Sequence, residues 1–244
     1  MRSGRCALVT GAAKGIGRAV AESLAAEGFD IILHYRNSEE QALALADKLK
    51  ASRVRALAVR ADLTDDGDLK TLKTVCDSFG RPDTLINNAG VSLTKLFQDV
   101  TDEEYDYVMG VNARALFKVT RAFLPDMLSA RFGRIVNIAS IWGEIGGSAE
   151  VVYSMSKAAV IGMTKALAKE VAPCGVTVNA VSPGAVDTDM TADLSPEDRV
   201  ATEAEIPLGR FGKPQEIADI VSVLTKRDSY VTGQVFSVNG GWKV

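Results

Sequence analysis

The 244-residue chain carries 28 basic and 31 acidic side chains and an apolar fraction of 47%, enough for one large domain or two small ones with a sizeable core. No basic tract of the kind that follows nucleic-acid phosphates occurs, nothing reaches membrane-spanning length, and the opening residues lack the apolar region of a signal peptide. Cys6, Cys76 and Cys174 lie far apart and His34 is the single histidine, so a zinc site of Cys and His ligands is not expected and a Ser-His-Asp site lacks its nucleophile elbow; a cytoplasmic protein without metal is expected.

In chain order, residues 6–10 form a short apolar run that reads as a buried strand. It enters Gly11-Ala-Ala-Lys14-Gly15-Ile16-Gly17, and a helix is expected over 18–27. Strand, glycine loop and helix in this order present backbone N–H groups and a helix N-terminus to a phosphate. The spacing is Gly-x-x-x-Gly-x-Gly, and a plain structural turn is the alternative. A second strand over 30–35 is followed by Arg36. Dinucleotide folds read the adenosine ribose at this point: a carboxylate holds a 2′-OH and an arginine accommodates a 2′-phosphate. Arg36 with Lys14 therefore points to NADP(H), unless both are solvated surface charges. His34 reads as a strand residue with a satisfied imidazole.

A helix over 38–52 has Ser38 as N-cap and Glu39-Glu40 in its first turn. Residues 54–60 form a third strand closed by Ala61-Asp62-Leu63, and Thr64 or Asp65 caps a helix reaching Phe79. Residues 84–87 form a fourth strand, ending in Asn87-Asn88-Ala89-Gly90. A long helical stretch starting at Asp102 contains Asn112, and a fifth strand over 133–139 stops at Ser140, where α/β sheets place ligand-contacting residues. After a glycine-rich loop with Trp142, Glu144 and Glu150, a helix over about 152–172 carries Tyr153 and Lys157. At i and i+4 these two share a helix face, where the lysine favours the phenolate and lets the phenol exchange a proton near neutral pH. Ala158, Ala159, Gly162, Ala166 and Ala168 give this helix a small-residue face, suited to a partner subunit or to core packing. A sixth strand over 176–181 leads into Ser182-Pro183-Gly184. Residues 187–207 are polar and poorly periodic, which suggests a substrate lid with room for short helices. A helix over 214–224 and a last strand over 234–238 complete the chain. Strand and helix alternate throughout, so the expectation is one α/β domain spanning 1–244. It is a doubly wound Rossmann arrangement, with a mostly parallel seven-stranded sheet and helices on both faces.

Thr10-Gly-x-x-x-Gly-x-Gly17, Asn87-Asn-Ala-Gly90, Ser140, Tyr153-x-x-x-Lys157 and Pro183-Gly184 stand in order along the chain. Their spacing resembles the short-chain dehydrogenases/reductases over essentially the whole length. The resemblance implies a carbonyl reductase with Tyr153 as general acid, Lys157 lowering its pKa and holding the nicotinamide ribose, and Ser140 orienting the substrate oxygen. Asn112 would hold a water linking Lys157 to solvent. Thr10, Gly11, Gly15, Ile16 and Gly17 would cradle the pyrophosphate, Asp62 the adenine, Asn88 the adenosine ribose side, and Pro183, Gly184 and Thr188 the nicotinamide. Within the family the chain is similar to 3-oxoacyl-acyl-carrier-protein reductases in Thr188-Asp-Met-Thr191, Pro207-Leu-Gly-Arg210 and Ser237-Val-Asn-Gly-Gly241. That likeness implies NADPH, a homotetramer and an acyl carrier protein docking on basic residues. Arg131 matches one such position, Cys174 replaces an expected arginine, and Glu150 stands where glutamine is usual. Residues 140–150, His34-Tyr35 and Asn239-Gly-Gly-Trp242 also resemble elongation factor P 5-aminopentanone reductases, for which Glu150 would suit an amine-bearing ketone; otherwise Glu150 faces solvent or caps its helix. A non-catalytic NADP(H) sensor is the remaining reading, and such proteins usually lose the tyrosine or lysine kept here.

Overall fold

A computed structural model of the chain describes residues 4–243. Among these, strands β1 (Cys6–Val9), β2 (Asp30–Tyr35), β3 (Ala56–Arg60), β4 (Thr84–Asn87), β5 (Gly133–Ile138), β6 (Val176–Pro183) and β7 (Val235–Val238) form one sheet in the order β3-β2-β1-β4-β5-β6-β7. Every pairing is parallel. The apolar runs of the strands explain this: both faces are buried, as a parallel sheet between helical layers requires. Period two sorts the side chains. Ala7, Val9, Ile31, Leu33, Ile86 and Val136 join one core, while Leu8, Ile32, Leu85 and Ile135 join the other.

The first core is closed by α1 (Gly15–Ala26), α2 (Glu39–Lys50) and α9 (Pro214–Leu224). The second is closed by α3 (Asp66–Phe79), α5 (Ala115–Ala130) and the long α7 (Val151–Val171). Between β4 and α5 lie α4 (Asp102–Met109) and one π-helical turn, Gly110–Arg114, which holds Asn112. A single turn, α6 (Trp142–Ile145), follows β5. Residues 187–207 contain a short 3₁₀ turn, Asp189–Thr191, and α8 (Pro196–Glu205), whose N-cap Ser195 accepts a bond from the Asp198 N–H.

The expected fold class holds, with corrections at element ends. α1 begins at Gly15 rather than Arg18, because Gly15, Ile16 and Gly17 already form its first turn. Ser38 occupies the N-cap of α2 without a side-chain capping bond, whereas Asp65 caps α3 by accepting from the Asp68 N–H at 2.8 Å. On α7, Ala158, Ala159, Gly162 and Ala166 face outward and Ala168 turns into the core.

Two buried polar assemblies brace the sheet. Asn87 Nδ2 donates to Thr120 Oγ1 at 2.9 Å and to Asn137 Oδ1 at 2.8 Å, and Asn137 Nδ2 donates to Thr164 Oγ1 at 2.9 Å. This row pins α5 and α7 to the central strands. At the amino ends of the strands, the guanidinium groups of Arg5, Arg134 and Arg227 gather on the Phe132 ring at 5.1, 4.3 and 5.0 Å. Arg5 donates to the carbonyl of Thr225, the C-cap of α9, and Arg134 to those of Lys226 and Arg227 in the turn that follows.

Asn137→Ala removes a buried acceptor from Asn87 and a donor from Thr164. We expect a loss of about 1–3 kcal/mol, seen as a lower urea midpoint at unchanged m-value; an unchanged midpoint would show the row to be energetically idle.

Candidate active site

In the strand order, β1 lies between β2 and β4, so the connections leaving β1 and β4 diverge to opposite sides and open a crevice at their carboxyl ends. The crevice walls are stitched together. Thr10 Oγ1 accepts from the N–H groups of Asn88 (2.9 Å) and Ala89 (3.0 Å), and Asn88 Nδ2 donates to the carbonyls of Thr10 (2.9 Å) and Gly11 (3.0 Å). A cavity of about 280 Å³ lies above, lined by Gly11, Lys14, Gly15, Ile16, Asn88, Ser140, Tyr153, Lys157, Pro183, Gly184 and Thr188. A second cavity of about 260 Å³ shares Gly11 and Lys14 and continues past His34, Arg36, Asp62 and Tyr107.

The glycine loop fits an extended phosphate-bearing group. A Cβ on Gly17 would lie 2.3 Å from the Gly11 carbonyl oxygen, a backbone atom that cannot yield, so the first turn of α1 packs directly on the start of the loop, while Gly15 and Ile16 line the crevice. Arg36 and Lys14 border the second cavity but hold separate partners: Arg36 pairs with Asp62 at 3.0 Å and its Nη1 approaches Tyr107 Oη at 3.4 Å, while Lys14 pairs with Asp189 at 3.0 Å. Both nonetheless line the same cavity.

Ser140 stands just beyond β5, and its Oγ accepts from the Trp142 N–H at 3.2 Å, leaving the hydroxyl proton free to donate. The chain then turns through α6, where Gly143 lies so close to α7 that a Cβ would meet the Lys157 carbonyl carbon at 2.6 Å. Ala149 takes a left-handed conformation (φ 58°), a strained state for a residue with a Cβ, secured by the Lys95 N–H donating to its carbonyl at 2.7 Å. That turn delivers Glu150 to the N-cap position of α7.

Tyr153 and Lys157 lie on the inner face of α7, both buried. Burial pushes the Tyr153 phenol up to about 12; a bond with Ser140 works against this and the charge of Glu150 adds to it. Burial also pulls the Lys157 ammonium down to about 8. Burial thus drives both groups towards their neutral forms, and Lys157 Nζ donates to the Ile138 carbonyl at 2.9 Å. Glu150 is half-buried; burial raises its pKa, opposed by a bond from the Trp142 side chain. Among the described residues no cation is paired with it.

The structure thus brings Ser140, Tyr153, Lys157, Gly11, Gly15 and Ile16 to one cavity and Arg36 and Asp62 to the second, and sets four expected residues, Thr10, Gly17, Asn112 and Glu150, apart from either wall. Thr10 lies beneath it as a stitch. Glu150 stands outside the wall, close enough for its charge to act on Tyr153. Asn112 is buried with its side chain committed: Nδ2 donates to the Val91 carbonyl (2.8 Å) and to Ser156 Oγ (3.0 Å), and Oδ1 accepts from the Val91 N–H (2.8 Å). Its Nδ2 is fully engaged, while Oδ1 accepts one bond of the two it can take. Sequence reasoning missed the C-terminal clasp. Trp242 meets Trp142 edge to face at 5.1 Å and its indole N–H reaches Glu205 of α8 at 3.3 Å, while Lys243 pairs with Glu144 of α6. The tryptophan pair was the one available signal. Arg131, left-handed at the end of α5, donates to the Pro173 carbonyl at 3.0 Å beside Cys174. Among the described residues there is no cluster of His, Cys, Asp and Glu able to hold a metal and no helix long and apolar enough to cross a membrane.

A family model described as enoyl-(acyl carrier protein) reductase matches residues 11–243. The chain is 42% identical over 241 residues to the uncharacterized oxidoreductase YmfI of Bacillus subtilis, covering 98% of each chain. It is 40% identical over 243 residues to the 3-oxoacyl-[acyl-carrier-protein] reductase FabG of Staphylococcus aureus, covering 99% of each. A crystal structure of a provisionally named gluconate dehydrogenase from Agrobacterium tumefaciens superimposes with a TM-score of 0.94 at 32% identity, covering 99% of this chain and 97% of that one. The chain belongs to the short-chain dehydrogenase/reductase family, oxidoreductases that bind NAD(P)(H).

The Lys157 shift sets a pH test. Its folded-state pKa, about 8, lies below the ordinary 10.5, so the cost of burying the charge is complete below about pH 8 and fades as pH rises towards 10.5. Lys157→Met is expected to raise the denaturation midpoint of the cofactor-free protein near pH 7, with an advantage that shrinks above about pH 9; a constant advantage would refute the buried charge.

Proposed function

We propose that this short-chain dehydrogenase/reductase is an NADPH-dependent reductase that converts a 3-oxoacyl thioester to its 3-hydroxyacyl product. The observation that carries the reading is the buried Ser140–Tyr153–Lys157 group beside the glycine-loop cavity, in which the phenol is protonated at neutral pH. The preference for the 2′-phosphorylated dinucleotide is supported by Arg36 after β2, where no carboxylate stands, and by Lys14 on the same cavity. The substrate class is supported by the likeness to the Staphylococcus aureus reductase.

When bound, the reduced dinucleotide supplies the hydride. Gly11, Gly15, Ile16 and Gly17 hold its pyrophosphate, Asp62 and Asn88 face its adenosine end, and Pro183, Gly184 and Thr188 its nicotinamide end. Ser140 donates a hydrogen bond to the substrate carbonyl oxygen, and Tyr153 gives that oxygen its proton as negative charge develops there. The resulting phenolate is balanced by Lys157, which is charged below about pH 8 and can return a proton. Asn112 fixes the Val91 turn and Ser156 around the lysine, and its Oδ1 keeps a lone pair for a water linking Lys157 to solvent. Residues 187–207 act as the lid, with Lys14–Asp189 and Trp242–Glu205 as its fastenings. The exposed small-residue stripe on α7, with Phe117 of α5 also exposed, favours a homotetramer. Arg131 is the point left for an acidic carrier protein.

One observation favours a second substrate. Glu150 is a half-buried carboxylate near the acid, with no basic partner among the described residues. Such a group suits a ketone that carries an ammonium, for instance a 5-aminopentanone group on elongation factor P.

With a 3-oxoacyl thioester we expect NADPH oxidation faster than NADH oxidation, and a fall in kcat of about 10²–10⁴-fold in Tyr153→Phe with NADPH binding retained. Undiminished turnover by that variant would end the assignment of the acid. In Glu150→Gln, KM for an amino ketone should rise about tenfold while a neutral ketone is unaffected; equal changes would discard the amine-bearing substrate.

A further inference from the structure

His34 is the only histidine of the chain, and it sits between the two walls of the adenosine-side cavity. It is buried near the end of β2. Its Nδ1 accepts from the Gly11 N–H at 3.2 Å, and its Nε2 lies 3.0 Å from the Ala61 carbonyl. The Ala12 N–H donates to the His34 carbonyl at 2.9 Å, so backbone and side chain of one residue both hold the start of the glycine loop. Only the neutral tautomer with its proton on Nε2 satisfies both ring contacts. Adding a proton at Nδ1 sets an N–H donor against the Gly11 N–H donor and leaves both without an acceptor.

We propose that His34 is a positioning residue for the dinucleotide: its neutral imidazole locks the glycine loop in the binding form, so that protonation of His34 and cofactor binding oppose each other. The proposal rests on the reading of this cavity as a dinucleotide site. Protonation forces the Gly11 turn away from the position in which Gly11, Gly15 and Ile16 line the crevice. The charged groups around the ring leave the neutral form favoured. Asp62, from the turn after β3, attracts a charged imidazole but is itself paired with Arg36 at 3.0 Å. Lys14, from the glycine loop, is turned to Asp189. Tyr35 donates to Glu39, and Tyr107, from α4, meets Arg36. Burial works in the same direction and holds the ring below the usual histidine range, against the Ala61 bond and Asp62. The sign follows: neutral His34, and tight binding, prevail at high pH, and affinity falls as pH drops through the imidazole pKa.

The test uses the whole protein and needs no turnover. The single imidazole can be titrated by NMR between about pH 8 and pH 4.5, with and without saturating NADPH. Coupling is reciprocal, so NADPH should lower the His34 pKa by about one unit or more, and protonation should weaken NADPH by the same factor, about tenfold. Titration at the same pH in both states, or in neither, would overturn the proposal. In parallel, NADPH dissociation constants for wild type and His34→Asn, whose amide oxygen can accept from Gly11 but does not ionise, should diverge as pH falls. The 2′-phosphate titrates equally in both measurements and cancels in the ratio. A pH-independent ratio would reduce His34 to a structural residue. Absence of NADPH binding at about pH 8 would instead remove the dinucleotide reading itself, and the proposal with it.

Discussion

The hydrogen bonds between Thr10 and the Asn88-Ala89 segment hold the place where the strand order reverses, and the site depends on them. Two parallel strands that leave to opposite sides would leave unpaired backbone at their carboxyl ends. Here one threonine hydroxyl takes two of those N–H groups, and one asparagine amide takes the Thr10 and Gly11 carbonyls. The glycine loop is thereby fixed from the β4 side, while the His34 imidazole fixes it from the β2 side. A loop poor in side chains gains its shape from its neighbours.

The electrostatics of the site follow from the same enclosure. An exposed lysine beside an exposed tyrosine would lower the phenol's pKa, and that is what i, i+4 spacing suggests. Enclosed between α7 and β5, both groups lose water, and each is driven towards its neutral form. The result is a phenol that keeps its proton and an amine on the edge of losing one. That combination suits delivery of a proton to an oxygen that becomes basic only during reaction. It also costs stability in the resting protein.

Much of this was legible from the sequence, for reasons that can be named. The strands announced themselves because burial on both faces demands continuous apolar runs, and Ser140, Tyr153 and Lys157 because chemistry demands those side chains at those spacings. What the sequence concealed lies in contacts between distant segments. Nothing local reveals that Asn112 spends its amide on Val91 and Ser156, or that Arg36 turns to Asp62. The first turn of α1 was hidden because Gly15 and Gly17 are poor helix formers, one with a positive φ and the other where the Gly11 carbonyl approaches too closely for a Cβ. α8 escaped because its residues are nearly all polar or exposed, leaving no apolar stripe to read. His34 looked like a satisfied strand residue, and it is one; the identity of its partners gives it meaning.

The arginine assembly at the opposite end of the sheet carries a consequence of its own. Arg5 and Arg134 are buried and bind the carbonyls of the C-cap of α9 and of the turn after it, about Phe132 and at the opposite end of the strands from Tyr153. Rigidity is thus concentrated at one pole, and the loops that shape the substrate pocket are gathered at the other. Changes in residues 187–207 or around α6 need not disturb the braces that keep the strands together. Such a molecule can drift in what it recognises while its fold stands still, and a single scaffold can found a lineage of enzymes with divergent appetites.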